Sequence, residues 1–248
     1  MPRAWMAAAL TLLLSPAALA QDCSISEILK HVYGPSHKAD LELSTCKVWP
    51  ARPGITLVAA GLNRDGDYKV GSEDLELLLV DTATSRVIAR RLEESRLAYD
   101  AIQVGKLTFD TAPYKLNDGV LAFGLRIGRH NNSGGYPFSE TSLTLYIAGK
   151  SGLEPVLEDL LVESLSGETD TVCQGRYEES AATLALGSAT SHGLHSLAAT
   201  QRISTYREVM GTSDTCMPQD EKTTQHRYTL TFNGHHYPVP RELKALTP

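Results

Sequence analysis

Long apolar runs, basic tracts and aromatic residues are scarce in this chain of 248 residues. After residue 20 no stretch approaches the ~20 apolar residues of a membrane-spanning helix, so no membrane span is expected. No Lys/Arg tract is present and the formal net charge is −6, so a nucleic-acid partner is not expected. Aromatic residues make up 6% of the chain, and Trp49 is the only tryptophan after residue 20, which weakens the case for a sugar-stacking platform.

Local catalytic signatures are also missing. There is no G-x-S-x-G nucleophile elbow, and the turn at Gly149–Gly152 has the letters of a phosphate loop without its spacing. The absence of a motif favours a non-catalytic protein. It leaves open a hydrolase whose active-site residues are scattered along the sequence.

The first twenty residues have the organisation of a secretory signal peptide. Arg3 supplies the positive charge, Met6–Leu14 the apolar region and Ala18–Ala20 the small-x-small cleavage pattern. Cleavage there leaves a mature chain from Gln21 with 22 basic and 29 acidic residues, a formal charge of −7. A lipid anchor would require a cysteine directly after the cleavage site, which Gln21 and Asp22 do not provide. The sequence therefore predicts a soluble periplasmic or secreted protein.

The four cysteines are Cys23, Cys46, Cys173 and Cys216. An even number in an exported protein predicts two disulfides, and the absence of C-x-x-C spacing argues against a four-cysteine zinc site. Among the three possible pairings, sequence proximity favours Cys23–Cys46 and Cys173–Cys216. Each would stabilise the fold by about 3–4 kcal/mol in the loop-entropy model.

Hydrophobic periodicity predicts a short helix followed by strands. Ser24 and Glu27 form a capping-box pattern ahead of a helix that Gly34 ends. Leu121–Ile127 alternates with period two, and Leu153–Leu165 fits either a helix or a strand, with its β-rich neighbours favouring a strand. We predict an all-β fold, either a sandwich or an irregular propeller-like stack of antiparallel hairpins, with a short N-terminal helix.

The same reading divides the chain into three parts. Residues 1–20 are the signal peptide, 21–50 a disulfide-tied N-terminal helical segment and 51–248 a β-rich domain. The polar stretch Met210–Thr224 predicts a loop held by Cys216. Asn233-Gly234 between alternating runs predicts a type I′ hairpin near the C-terminus.

An acidic loop is the first candidate site. Asn63, Asp65 and Asp67 are spaced two apart, Glu73 and Asp74 follow, and the candidate ligands are Asn63, Asp65, Asp67 and Asp74. Oxygen ligands at alternate positions with intervening glycine are what calcium requires, so these four residues form a candidate calcium site. The loop resembles an EF-hand and the calcium loops of integrin-type repeats, although Tyr68 stands where the EF-hand requires glycine. A polar turn at a strand entrance explains the same residues without a metal.

Histidines form the second candidate site. His192, His195 and His236 offer a His-x-x-His pair plus a third ligand, which is enough for a zinc site. No glutamate follows His192, so the metalloprotease motif is not present. Solvated surface histidines are the simpler interpretation.

Three stretches carry a resemblance to known proteins: Gly61–Asp67, Asp110–Tyr114 and Leu230–Tyr237. With them the mature chain resembles uncharacterised exported proteins of Gram-negative bacteria. The last stretch, a strand followed by Asn-Gly and Tyr, is similar to the C-terminal hairpin of periplasmic lysozyme-inhibitor-like proteins. The resemblance implies a periplasmic location and transfers no functional residue.

Export, disulfides, net acidity and a hairpin-rich body together predict a non-catalytic binding or interaction protein of the cell envelope, with another envelope protein as its partner. An acidic protein associates faster with a basic partner at low salt. Inhibition of a basic envelope hydrolase of the lysozyme type is the sharpest form of this hypothesis. The alternatives are an exported hydrolase without a local motif and a calcium-binding structural module.

Overall fold

The computed structural model describes residues 23–35, 39–63, 71–212 and 215–246. The signal-peptide prediction for 1–20 therefore lies outside the described residues. The strands are β1 Ala39–Val48, β2 Ile55–Leu62, β3 Gly71–Asp81, β4 Val87–Tyr99, β5 Ile102–Lys115, β6 Leu121–Asn131, β7 Phe138–Ala148, β8 Leu153–Thr169, β9 Gly175–Ser191, β10 Leu194–Met210 and β11 Cys216–Leu230. Helix α1 spans Ile25–Tyr33, and Arg241–Leu243 forms one 3₁₀ turn.

The strands form two antiparallel sheets in which every neighbour in space is also a neighbour in sequence. The first has the order β1-β2-β3-β4, and the second runs from β11 back to β5. This confirms the all-β prediction with a short N-terminal helix. Leu153–Leu165 is part of β8, as its neighbours indicated.

The two sheets pack face to face around an aromatic centre. Of the two predicted arrangements, the structure therefore has the sandwich. Phe123 lies in the middle of this core, with ring centroids 5.4 Å from Trp49, 5.8 Å from Tyr146 and 6.0 Å from Phe109. Leu57, Leu75, Leu77 and Leu79 of the first sheet and Leu107, Leu125 and Ile127 of the second complete it. Burial of these side chains, each worth about 1.5–3 kcal/mol, holds the sheets together.

Helix α1 covers the outer face of the first sheet. Its buried residues Ile28 and Leu29 pack against Val58, Leu78 and Val80. The Cys23–Cys46 disulfide ties the start of the helix to β1, as predicted. Ser24 is the N-cap residue, but its side chain makes no capping hydrogen bond, so the capping-box prediction is wrong in that detail.

A second core lies on the opposite side of the seven-stranded sheet and is closed by the C-terminal segment. Phe232, Tyr237 and Leu243 are buried in it, and the Tyr237 N–H donates to the Val156 carbonyl at 2.7 Å. The type I′ hairpin prediction at Asn233-Gly234 is wrong. Only Gly234 of the pair has positive φ, and residues 231–240 form no strand because their aromatic side chains turn into this core.

The last four strands are unusually long and extend beyond both cores. β8, β9 and β10 have 17 residues each and β11 has 15, against a typical strand of about 5–6. The predicted loop at Met210–Thr224 is therefore wrong, because Cys216–Leu230 pairs with β10 along its length. The Cys173–Cys216 disulfide joins the β8–β9 turn to the start of β11, confirming the second pairing. We refer to residues 163–183, 200–212 and 215–227 as the blade.

Among the described residues no helix has both the length and the hydropathy needed to cross a bilayer.

Candidate functional site

One face of the blade collects acidic side chains through strand register. Leu165 lies opposite Glu179, Glu179 opposite Ser204, and Ser204 opposite Thr223. Residues directly opposite each other in an antiparallel sheet point to the same side, so each row places side chains from four strands together. The acidic face is defined as Glu163, Tyr177, Glu179, Arg202, Ser204, Tyr206, Glu208 and Glu221.

An aromatic pair lies within this face. Tyr177 and Tyr206 are directly opposite, and their rings stack at 5.2 Å with an interplanar angle of 19°. The Tyr206 hydroxyl donates to Glu179 Oε1 at 2.8 Å. Burial, the hydrogen bond to Glu179 and the charge of that carboxylate raise the pKa of Tyr206 above its ordinary value. The phenol therefore remains a donor at neutral pH and orients Glu179.

Among the eight residues that define the acidic face only Arg202 is positively charged, and Arg227, opposite Thr200, lies on the same side of the sheet outside this set. The Arg202 guanidinium is 4.0 Å from Glu221 Oε1, and both side chains are more than half exposed. An exposed pair at this distance contributes little and neutralises neither group. The face forms one wall of a shallow depression of about 680 Å³ that is open to solvent. Its charged lining residues from this face are Arg202 and the four glutamates Glu163, Glu179, Glu208 and Glu221.

A bulge in β11 separates two neighbouring carboxylates. Thr205 pairs with Lys222 and Arg207 with Gln219, so Asp220 and Glu221 together face Tyr206. Asp220 has φ +54° and forms an ion pair with Arg207, whereas Glu221 lines the depression near Arg202. The bulge thus adds a fourth glutamate to the acidic face, which is the kind of re-aimed side chain that bulges supply.

The free end of the blade is fixed by covalent and hydrogen bonds. Beside the Cys173–Cys216 disulfide, Asp170 Oδ1 accepts hydrogen bonds from the N–H groups of Val172, Cys173 and Gln174 at 2.8–2.9 Å. These bonds hold the pKa of Asp170 below its usual range. The tip is therefore an ordered turn.

The candidate calcium residues are only partly placed. Asp65 and Asp67 lie outside the described residues. Asn63 is exposed after β2, and Asp74 on β3 accepts a hydrogen bond from the Ser95 N–H at 2.7 Å. The structure therefore does not test whether the four residues meet.

The candidate zinc histidines lie in three different local environments. His192 has φ +48° and is followed by Gly193 at +80°, so these two residues form the tight turn between β9 and β10. His195 N–H donates to the Leu116 carbonyl, and the ring nitrogen Nδ1 is buried without a partner in the described chain. His236 lies in the turn after Phe232 and donates its N–H to Asn233 Oδ1 at 2.9 Å. Within the described ranges no three His, Cys, Asp or Glu side chains form a group that could hold a metal ion.

A polar network between the sheets has a structural role. Arg96 on β4 pairs with Asp159 on β8 and lies 3.4 Å from Glu93, which also accepts a hydrogen bond from the buried Tyr146 hydroxyl. Burial and the charge of Glu93 raise the pKa of Tyr146 well above its usual value. The network therefore links β4 of the first sheet to β7 and β8 of the second through polar contacts.

The sequence contains one signal for the acidic face, although it is not a known motif. The triplet Tyr-x-Glu occurs twice, at Tyr177–Glu179 and at Tyr206–Glu208. In a strand such spacing places both side chains of each triplet on one face. Their juxtaposition depends on the register of β9 with β10, which is visible only in the structure.

Comparison with protein-family models, with curated proteins and with solved structures finds no match to this chain.

Proposed function

We propose that this chain is an exported, non-catalytic binding protein of the cell envelope whose acidic face binds a basic partner protein. The observation that carries the proposal is the charge of that face. Four glutamates and one arginine surround a stacked tyrosine pair on strands that extend beyond the cores. None of the eight residues of this face is buried, and four of them are exposed, so packing within the chain does not account for the surface.

The chemistry of the acidic face suits lysine and arginine side chains. Carboxylates accept charge-assisted hydrogen bonds from both, and arginine can engage a carboxylate with two parallel bonds. The faces of the tyrosine rings add cation–π attraction, worth about 0.5–2 kcal/mol for each contact. Tyrosine is also among the residues enriched at the centres of binding sites.

The edge of the blade is protected, which favours recognition through the face. β11 is the last strand of its sheet, and an unguarded edge of this length would pair with other strands. Pro218 removes a donor, the bulge at Asp220 interrupts the pairing pattern and Lys222 adds charge. These are the features by which proteins blunt an edge strand.

Rigidity of the blade supports a binding role as well. The disulfide and the hydrogen-bonded turn at Asp170 fix its tip. A surface that is ordered before binding loses less conformational entropy when the partner arrives. Net acidity would in addition accelerate encounter with a basic partner at low salt.

The partner class can be tested with a basic lysozyme as the probe. The affinity of the mature chain (residues 21–248) for lysozyme is measured by biolayer interferometry at 50 and 300 mM salt. The same lysozyme with its lysines succinylated, which reverses their charge, is the control. We expect the Kd for the native probe to rise at least tenfold between the two salt concentrations, and binding of the succinylated probe to be lost.

Equal affinity for native and succinylated lysozyme would contradict recognition of positive charge. Failure to bind lysozyme or any other purified basic envelope hydrolase at 50 mM salt would contradict the proposed partner class. An assay of lysozyme activity then shows whether binding also inhibits the enzyme.

A further inference from the structure

A second group of oxygen atoms lies in the first sheet, where β1 departs from regular pairing. Asp40 pairs with Gly61 and Ser44 with Ala60, so Leu41, Glu42 and Leu43 have no partner in the register on β2. An irregularity of this kind is a device that redirects side chains, and it occurs often beside binding sites. Here it places the Leu43 carbonyl oxygen beside Gly61 of β2.

The bulge fixes the carboxylate of Asp40. Asp40 Oδ1 accepts hydrogen bonds from the N–H groups of Glu42 at 2.7 Å and Leu43 at 3.3 Å. Two bonds to one oxygen determine the orientation of the group and leave Oδ2 for another ligand. The Asp40 side chain is therefore preorganised on the wall of a cavity of about 510 Å³.

Glu73 on β3 lines the same cavity and is buried. It is 4% exposed, and its Oε2 has no hydrogen-bond partner among the described residues. Asp40 is its charged neighbour, and an ionised carboxylate cannot donate. A buried carboxylate without a donor is costly unless a cation or a proton compensates it.

A main-chain oxygen converges on the same point. A Cβ atom on Gly61 would lie 2.8 Å from Glu73 Oε2 and 3.0 Å from the Leu43 carbonyl oxygen. Both oxygens therefore approach one small space that only glycine at position 61 leaves open. Glycine is the residue that permits such close approach to the backbone.

The remaining wall of the cavity includes Tyr99, Gln103 and Lys106. Gln103 donates its amide N–H to the Asp100 carbonyl, so its side-chain oxygen is still an acceptor. Lys106 is exposed, and no ion pair joins it to Asp40 or Glu73 in the described chain. The positive charge that the two carboxylates require is thus not supplied by this lysine.

We propose that Asp40 and Glu73 bind a divalent cation of the calcium type, with the Leu43 carbonyl as a third oxygen and water completing the shell. Two carboxylates and a carbonyl are the hard oxygen ligands that calcium prefers, and calcium accepts irregular geometry with 6–8 ligands. The ligand set differs from the candidate set at Asn63–Asp74. The site is also separate from the acidic face, so the two proposals stand or fall independently.

Calorimetric titration of the chelator-treated mature protein with calcium chloride tests the proposal. Glu73→Gln and Asp40→Asn should each weaken the Kd at least tenfold and reduce the rise in Tm that calcium gives the parent. Asp118→Asn removes one carboxylate from an exposed turn of the other sheet and should bind like the parent. Glu73→Gln removes one of two neighbouring like charges, so in chelator its Tm should be no lower than that of the parent.

Terbium luminescence locates the ion. Tyr99 borders the cavity, and its excited ring can sensitise a terbium ion bound in place of calcium. We expect sensitised emission from the parent that calcium displaces, and loss of most of that emission in Tyr99→Phe while calorimetric affinity for calcium is retained.

Three results would overturn the proposal. The first is parent-like calcium affinity in both Glu73→Gln and Asp40→Asn. The second is the absence of heat and of any Tm shift at millimolar calcium. The third is loss of binding on Asp65→Asn or Asp67→Asn with Glu73→Gln unaffected, which would assign the ion to the acidic loop instead.

Discussion

Arg96 on β4 donates a hydrogen bond to Asp159 on β8, so an ion pair joins the two sheets at the margin of their shared core. Their side chains are 14% and 16% exposed, and Asp159 has φ +54°. Burial lowers the pKa of Arg96, but the charge and hydrogen bond of Asp159 outweigh it and raise that pKa. Arg96 therefore remains a cation at neutral pH.

Removing one member of this pair should weaken the sandwich. Arg96→Met leaves Asp159 and Glu93 without their shared cation, so we expect a loss of about 2–4 kcal/mol in the free energy of unfolding. Urea denaturation followed by tryptophan fluorescence at Trp49 measures it. Arg227→Met, on the exposed strand β11, is the control and should change stability by less than about 0.5 kcal/mol. Equal stability of the two variants would show that the pair does not join the sheets.

A second prediction concerns pH. Burial raises the pKa of Asp110, but the hydrogen bond from the Ala112 N–H and the ion pair with Arg126, 2.7 Å away, outweigh it and lower that pKa. The unfolded state therefore binds the proton more readily, so the stabilisation is present above about pH 4 and is lost as pH falls through the folded pKa. Asp110→Asn should cost about 1–3 kcal/mol at pH 7.

The cost of Asp110→Asn should shrink when urea unfolding is repeated at pH 3. Asp118→Asn, at a fully exposed carboxylate, should leave the urea midpoint essentially unchanged at pH 7. A penalty for Asp110→Asn that is the same at both pH values would mean that its ion pair with Arg126 contributes nothing.

The two disulfides should protect different regions. The double variant Cys173→Ala/Cys216→Ala should speed hydrogen exchange at the blade tip, in residues 170–180 and 216–222, because the disulfide restrains that end. Cys23→Ala/Cys46→Ala is the matched control and should instead speed exchange in α1. Each removal should lower global stability by up to about 3–4 kcal/mol. Identical exchange patterns in the two double variants would contradict this division.

The sequence predicts the buried strands well because burial imposes a pattern. Leu121–Ile127 alternates since one side faces Trp49 and Tyr146 while the other carries Gly124 and Arg126. β11 has no such pattern, since residues 216–227 are exposed on both faces, and alternation cannot reveal a strand without a buried side. Asn233-Gly234 misleads for the opposite reason, because packing of Phe232 and Tyr237 overrides the local turn preference.

The disulfides follow from cysteine number and spacing, whereas the candidate sites require tertiary register. Glu179 and Tyr206 are 27 positions apart and meet only because β9 and β10 pair in the observed register. Asp40 and Glu73 meet across the β1 bulge, which no residue pattern announces. Sequence spacing detects ligands that are neighbours on one loop. The residues of the acidic face and the Asp40–Glu73 pair come from different strands, so spacing does not detect them.

The central claim is that the acidic face of the blade makes the contact with a basic partner, and the affinity of two double variants tests it most directly. Glu179→Gln/Glu221→Gln removes two of the four carboxylates of the acidic face, whereas Glu168→Gln/Glu178→Gln makes the same change in net charge on the opposite face of the blade. Measured against lysozyme at 50 mM salt, the first pair should weaken the Kd at least tenfold, equivalent to about 1.4 kcal/mol, and the second less than threefold. Equal weakening by both pairs, or a larger effect of the second, would contradict the account.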